Sequence, residues 1–204
     1  MVTQAYPGAT KEAISYPACG GQSSCGGASY DSSASQGTAA VVRAVNSLVQ
    51  RCPDVKIVLI GYSQGGQIMD NALCGGAGAT LTGASLAAVK AAIFMGDPHN
   101  VPGLSYNVGT CTAGGGVSAL LSRPGPAPLG PRDPPGQTVL TVSQFAARSA
   151  GFRCSPGNSS IIQSYCDQPD PYCCKGNDQN AHQQYVNKYG RQALQFIQKL
   201  LGSP

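Results

Sequence analysis

The sequence predicts an α/β sandwich built on a mostly parallel sheet, and three observations point that way. The run "KIVLIG" (56–61) is aliphatic almost throughout, as expected of a strand covered on both faces. A stretch with apolar residues three and four apart (31–51) precedes it, and a second helix-like stretch (64–73) follows. The alternation then recurs, with a buried run at 92–95 and a closing amphipathic stretch at 183–201. With 204 residues the chain can bury a full core, and 1–204 is expected to form a single domain.

Taken in order, "AISYPA" (13–18) is predicted to be a short strand. "CGGQSSCGGASY" (19–30) is a Gly/Ser loop that a Cys19–Cys25 bridge would close. The helix over 31–51 can be capped by Ser32, Ser33 or Ser35. Its buried face would carry Ala40, Val41, Ala44, Val45, Leu48 and Val49. "LAAVKAAIFMGDP" (86–98) gives a helix end and then a buried strand at Ala92–Met95. "IIQSYC" (161–166) is a further short strand, and the last helix offers Val186, Leu194, Ile197 and Leu201 for packing. One segment, 117–144, does not fit the alternation. It holds six of the 15 prolines and no cysteine, so its middle is neither helix nor central strand.

Composition narrows the function classes. Thirteen basic and nine acidic residues give a net charge of +4 without a Lys/Arg run, which argues against nucleic acid as a partner. No stretch approaches the roughly 20 apolar residues of a membrane helix. Nine cysteines, with close pairs at Cys19/Cys25 and Cys166/Cys173, point to an oxidising compartment, and the odd number leaves one thiol over. Two histidines and no repeated CxxC leave little for zinc, so no metal is expected. The start "MVTQAYPGAT" lacks the apolar core of an export signal.

The strand at 56–61 runs into Gly61-Tyr62-Ser63-Gln64-Gly65, which fits G-x-S-x-G, a strand–nucleophile–helix turn. Glycines there would let strand and helix approach closely, and the turn would expose the Ser63 hydroxyl. The Gln64 N–H, at the helix start, would face a developing oxyanion. Such a serine needs a base, and the choice is between His99, expected in an exposed loop, and His182, at the start of the last helix. Asp170 lies twelve positions before His182, with Asp167 and Asp178 as rival carboxylates. Ser63, Asp170, His182 is one chain order in which serine hydrolases present their triad.

Several long motifs carry a closer resemblance: "AYPGATKEAISYPACGGQSSCGGASY", "KIVLIGYSQGGQIMDNALCGG", "KAAIFMGDP", "GLSYNVGTC" and "SYCDQPDPYCCKGND" before the last histidine. Over 5–116 and 145–202 the chain resembles fungal acetylxylan esterases of the cutinase-like carbohydrate esterase family. The resemblance implies a three-layer α/β/α sandwich, secretion, disulfides and cofactor-free removal of O-acetyl groups from xylan by a monomer. It puts the nucleophile on Ser63, the base on His182 and the acid on Asp170 rather than its neighbours. Tyr172 beside Asp170 suits a narrow acetyl pocket against a sugar surface, where family cutinases resemble an aliphatic rim; Tyr62 would line either. A cutinase-type polyester esterase, or an inactive fragment that only binds carbohydrate, is the alternative.

Two departures from the family pattern stand out. The family's chain starts earlier, with a cysteine-bearing first strand and a loop that supplies a second oxyanion donor. The resemblance therefore implies a missing N-terminal strand, a Cys52 without its partner and low activity of this exact chain. The family also joins Gly114-Gly115 directly to Phe145. Segment 117–144 begins Val-Ser, as a GTGAGT-like splice donor would encode, and ends Leu-Thr-Val-Ser-Gln, which can encode a branch point and a terminal CAG. Translated intron sequence is expected there, with a true loop insertion as the alternative.

Overall fold

The computed structural model describes residues 1–76, 78–115, 148–149 and 151–202. The expected insertion at 117–144 lies outside the described residues. The elements run α1 (Val2–Ala5), α2 (Tyr30–Arg51), β1 (Ile57–Tyr62), α3 (Gln64–Cys74), α4 (Gly83–Ala88), β2 (Val89–Met95), β3 (Asn107–Val108), α5 (Pro156–Ser159), β4 (Ile162–Tyr165), α6 (Gln179–Gln183) and α7 (Tyr185–Leu201). Among the described residues four strands pair in the order β1-β2-β4-β3, all parallel. Parallel strands need crossovers, and those crossovers place helices on both faces. The fold is the α/β/α sandwich that the sequence predicts.

Two cores flank the sheet. One packs Val41, Val45 and Val49 of α2 and Ile68 and Leu73 of α3 onto Leu59, Ala92, Phe94 and Ile162. The other packs Tyr185, Ala193 and Ile197 of α7 onto Ala91, Ile93, Met95 and Tyr165. A register shift between Ile57 and Val58 lets the exposed Lys90 bulge from β2, so Val89 and Ala92 both face the first core.

Some elements differ from expectation for physical reasons. Residues 13–18 pair with no strand among the described residues; Ile14 and Tyr16 pack on the first core as irregular chain beside Pro17. The cap of α2 is Ser29, whose side chain accepts from Ser32 N–H, one turn before the serines that the sequence offered. β1, at an edge of the described sheet, is fully covered on one face only: its burial alternates, and Ile60 is 48% exposed on the other. Val186 also faces solvent, because the face of α7 that meets the sheet is set by Tyr185, Ala193 and Ile197.

Four disulfides join Cys19–Cys25, Cys74–Cys154, Cys111–Cys174 and Cys166–Cys173, leaving Cys52 as an exposed free thiol. That framework fits an extracellular, oxidising setting. Among the described residues no helix is long and apolar enough to cross a membrane.

Candidate active site

Ser63 occupies the single residue between β1 and α3, with φ 54° and ψ −126°. A non-glycine residue with positive φ is costly and has to be held by its surroundings. Here the Ser63 N–H donates to Met95 O at 2.8 Å, while Gly66 and Gln67 N–H donate back to Ser63 O. Gly61 is obligatory, since a Cβ there would lie 2.2 Å from Gly65 O. Gly65 differs from the expectation of close packing: a Cβ there would meet nothing within 4 Å.

The hydroxyl so exposed meets His182, whose Nε2 lies 2.9 Å from Ser63 Oγ. On its other side His182 Nδ1 lies 2.7 Å from Asp170 Oδ2. A carboxylate only accepts, so Nδ1 carries the hydrogen and Nε2 is left to accept from the serine. Asp170 is fully buried and heavily bonded. Its Oδ1 accepts from Tyr172 and Cys173 N–H, and its Oδ2 accepts from the Tyr185 hydroxyl as well as from His182. The Cys166–Cys173 bridge closes the loop that presents it.

The rival carboxylates have other partners. Asp167 accepts from Lys188, Tyr189 and Thr110; burial opposes its charge, yet these bonds hold its pKa below the usual carboxylate range. Asp178 caps α6, the helix carrying His182. His99 is not the exposed loop residue that was expected. It is largely buried beside Asp70 and Asp97, and burial with the nearby Arg148 charge lowers its pKa to about 3, so it stays neutral.

The His182 ring sits between Tyr62 and Tyr172, at centroid distances of 5.0 and 4.5 Å. Behind the ring, Gly96 has φ +64°, and a Cβ there would approach His182 Cε1 to 2.8 Å. Gln64 contributes more than the backbone N–H named from the motif. Its buried side chain donates to Cys19 O and Tyr30 O and accepts from Ser33 Oγ, which itself accepts from Cys19 N–H. This relay ties the Cys19–Cys25 loop and the start of α2 to the elbow. A cleft of about 420 Å³ opens at Ser63, lined by Tyr16, Tyr30, Tyr62, Tyr172, Gln22 and Gln179.

Sequence reasoning missed Ser33, Tyr185 and the Gln64 side chain. Tyr185, three residues after His182, carried a usable signal, since that spacing can return a side chain toward the same site. Ser33 carried none, because its partners lie 14 and 31 residues away. Cys111, Cys166 and Cys174 bring their sulfurs within 4.8 Å of one another, but all three are in disulfides and offer no thiolate to a metal.

A profile of the family described as Cutinase matches residues 1–201. The chain belongs to the cutinase family. Among members of that family, Cutinase 11 of Verticillium dahliae is 53% identical, over 100% of this chain and 61% of its own length. An acetylxylan esterase of Hypocrea jecorina is 50% identical, over 100% of this chain and 60% of its own. The chain thus spans about three fifths of the length of these curated relatives. A structure of an acetylxylan esterase superimposes with a TM-score of 0.81 at 50% identity, covering 98% of this chain and 86% of that one. The cutinase-family fold and the Ser63–His182–Asp170 network therefore stand together.

Proposed function

We propose that the chain is a secreted serine esterase that removes O-acetyl groups from xylan through an acyl-enzyme. The observation that carries this reading is the unbroken relay from Ser63 Oγ to His182 Nε2 and from His182 Nδ1 to Asp170, opening into a cleft of tyrosines and glutamines. His182 takes the Ser63 proton as Oγ attacks the acetyl carbonyl, then gives it to the departing sugar hydroxyl. Asp170 holds the imidazole with Nδ1–H toward itself and stabilises the imidazolium. The Gln64 N–H, at the first position of α3 with no carbonyl one turn earlier to receive it, donates to the oxyanion. Water then repeats the sequence on the acetyl-enzyme and frees acetate. No cofactor takes part.

Relatives carrying both names lie at similar identity, so names do not separate an acetyl ester from a polyester substrate. The cleft does favour one. Tyr62 and Tyr172 offer faces for a sugar ring, and Gln22 and Gln179 offer hydrogen bonds, where a long acyl chain would need an aliphatic floor. Acetate release from acetylated xylan, compared with hydrolysis of a series of esters of increasing acyl length, tests this. The expected result is activity falling steeply beyond acetyl and lost by several orders of magnitude in Ser63→Ala. Activity that rises with chain length would make the protein a polyester or lipid esterase instead.

A further inference from the structure

Tyr185 opens α7, is buried to 1% exposure and lies edge-on to His182 with ring centroids 6.3 Å apart. Three groups surround its hydroxyl. Asp167 N–H donates to it at 2.8 Å, Cys173 Sγ lies 3.2 Å away, and Asp170 Oδ2 lies 2.8 Å away. The amide needs its own hydrogen, and a disulfide sulfur has none to give and accepts weakly. The hydroxyl proton therefore goes to Asp170, on the same oxygen that receives His182 Nδ1–H.

We propose that Tyr185 is a positioning residue that sets the strength of the Asp170–His182 pair by sharing the Asp170 oxygen. The inference rests on the triad reading above. With two donors on Oδ2, part of the carboxylate charge is already spent on the phenol, and less is left to stabilise the imidazolium. Burial raises the phenol's pKa, as does the Asp170 charge, so the hydroxyl keeps its proton across the working range. The hydroxyl also fixes Oδ2 in place beneath Nδ1. The groups facing His182 are Asp170, Ser63, Tyr62, Tyr172 and Tyr185, with Asp167 and its partner Lys188 one contact further out.

Removing the hydroxyl in Tyr185→Phe concentrates the Asp170 charge on His182. The acid limb of the kcat/KM profile is expected to move up by about half a pH unit or more, and kcat to fall about tenfold with KM unchanged. Site-specific 3-fluorotyrosine at 185 is a stronger donor of nearly the same shape, and it should move the limb down. Asp167→Asn weakens the Lys188 anchor of the same loop but leaves the hydroxyl on Asp170, so it should lower Tm and leave the limb in place. An unmoved limb in Tyr185→Phe, or an equal shift in Asp167→Asn, would overturn the proposal. If Tyr185→Phe does not fold, the fluorotyrosine protein decides alone. If the parent protein hydrolyses no ester, the functional reading fails, but NMR titration of the His182 ring in the same variants still decides the role of Tyr185.

Discussion

Gly61 and Gly65 flank the same serine and should respond to alanine in opposite ways. A Cβ at Gly61 would sit 2.2 Å from a backbone oxygen that cannot move without opening the elbow. Gly61→Ala should therefore fold poorly or lose most of its stability and activity. At Gly65 the Cβ meets open space within α3, and Gly65→Ala should gain up to about 1 kcal/mol from helix propensity. Urea denaturation of the two variants checks this. Burial makes a second residue-level prediction. Asp70 pairs with the Arg148 guanidinium, whose Nε is 2.5 Å from its Oδ2, and Asp97 lies in the field of the same charge. Burial pushes the Asp70 pKa from 3.8 up to about 6, against the pull of Arg148, and burial with the Asp70 charge raises Asp97. Raised pKa values mean that the folded state binds protons more tightly than the unfolded one. The stability they confer is thus present below about pH 4 and is lost as pH rises through each folded-state pKa, about 6 for Asp70. Asp97→Asn keeps an oxygen for the His99 N–H and should flatten that loss, read as Tm against pH. Ser63 was legible at this scale because G-x-S-x-G is a local pattern, whereas spacing left three carboxylates open and only the family motifs selected Asp170. The neutral, buried His99 was not, because its environment comes from α3 and from Arg148, far away in sequence.

At the level of elements, the Ser33 relay couples three segments that no local pattern joins. Ser33→Ala would leave the Cys19 N–H without its acceptor and Gln64 Oε1 without its donor, both in buried surroundings. A loss of about 1–3 kcal/mol is expected, with a fall in kcat/KM as the Gln64 backbone loosens, while an equivalent change at exposed Ser35 should cost little. Chemical denaturation and kinetics on the same two proteins check both expectations. Long helices were legible within a residue or two because their apolar spacing persists over several turns. Short or irregular elements were not. β3 is two residues long, and Asn107–Val108 carries no alternation to recognise. "AISYPA" has a strand's composition, but Ile14 and Tyr16 are only partly buried against the first core and form no ladder, which composition cannot distinguish. The edge position of β1 was equally hidden, since a continuous aliphatic run specifies hydrophobicity and not the number of neighbours.

For the whole molecule, sequence order and spatial order diverge at β3, which lies outside β4 in the sheet, and only tertiary pairing decides that. The fold class was readable from alternation, but the strand order was not. The disulfides follow the spatial arrangement, and two of them have a consequence for chain integrity. Cys74–Cys154 and Cys111–Cys174 each connect a residue before position 116 to one after position 147. Ser63 belongs to the first part of the chain, Asp170 and His182 to the second. If a site-specific protease sequence is engineered within 117–144 and cut, the two pieces should migrate as one band without reductant and as two with it. The nicked protein should retain the activity measured on the intact protein until both bridges are reduced. A molecule with such bridges can outlast its own backbone: one cleaved peptide bond leaves two chains on which Ser63 and His182, now on different polypeptides, are still held 2.9 Å apart.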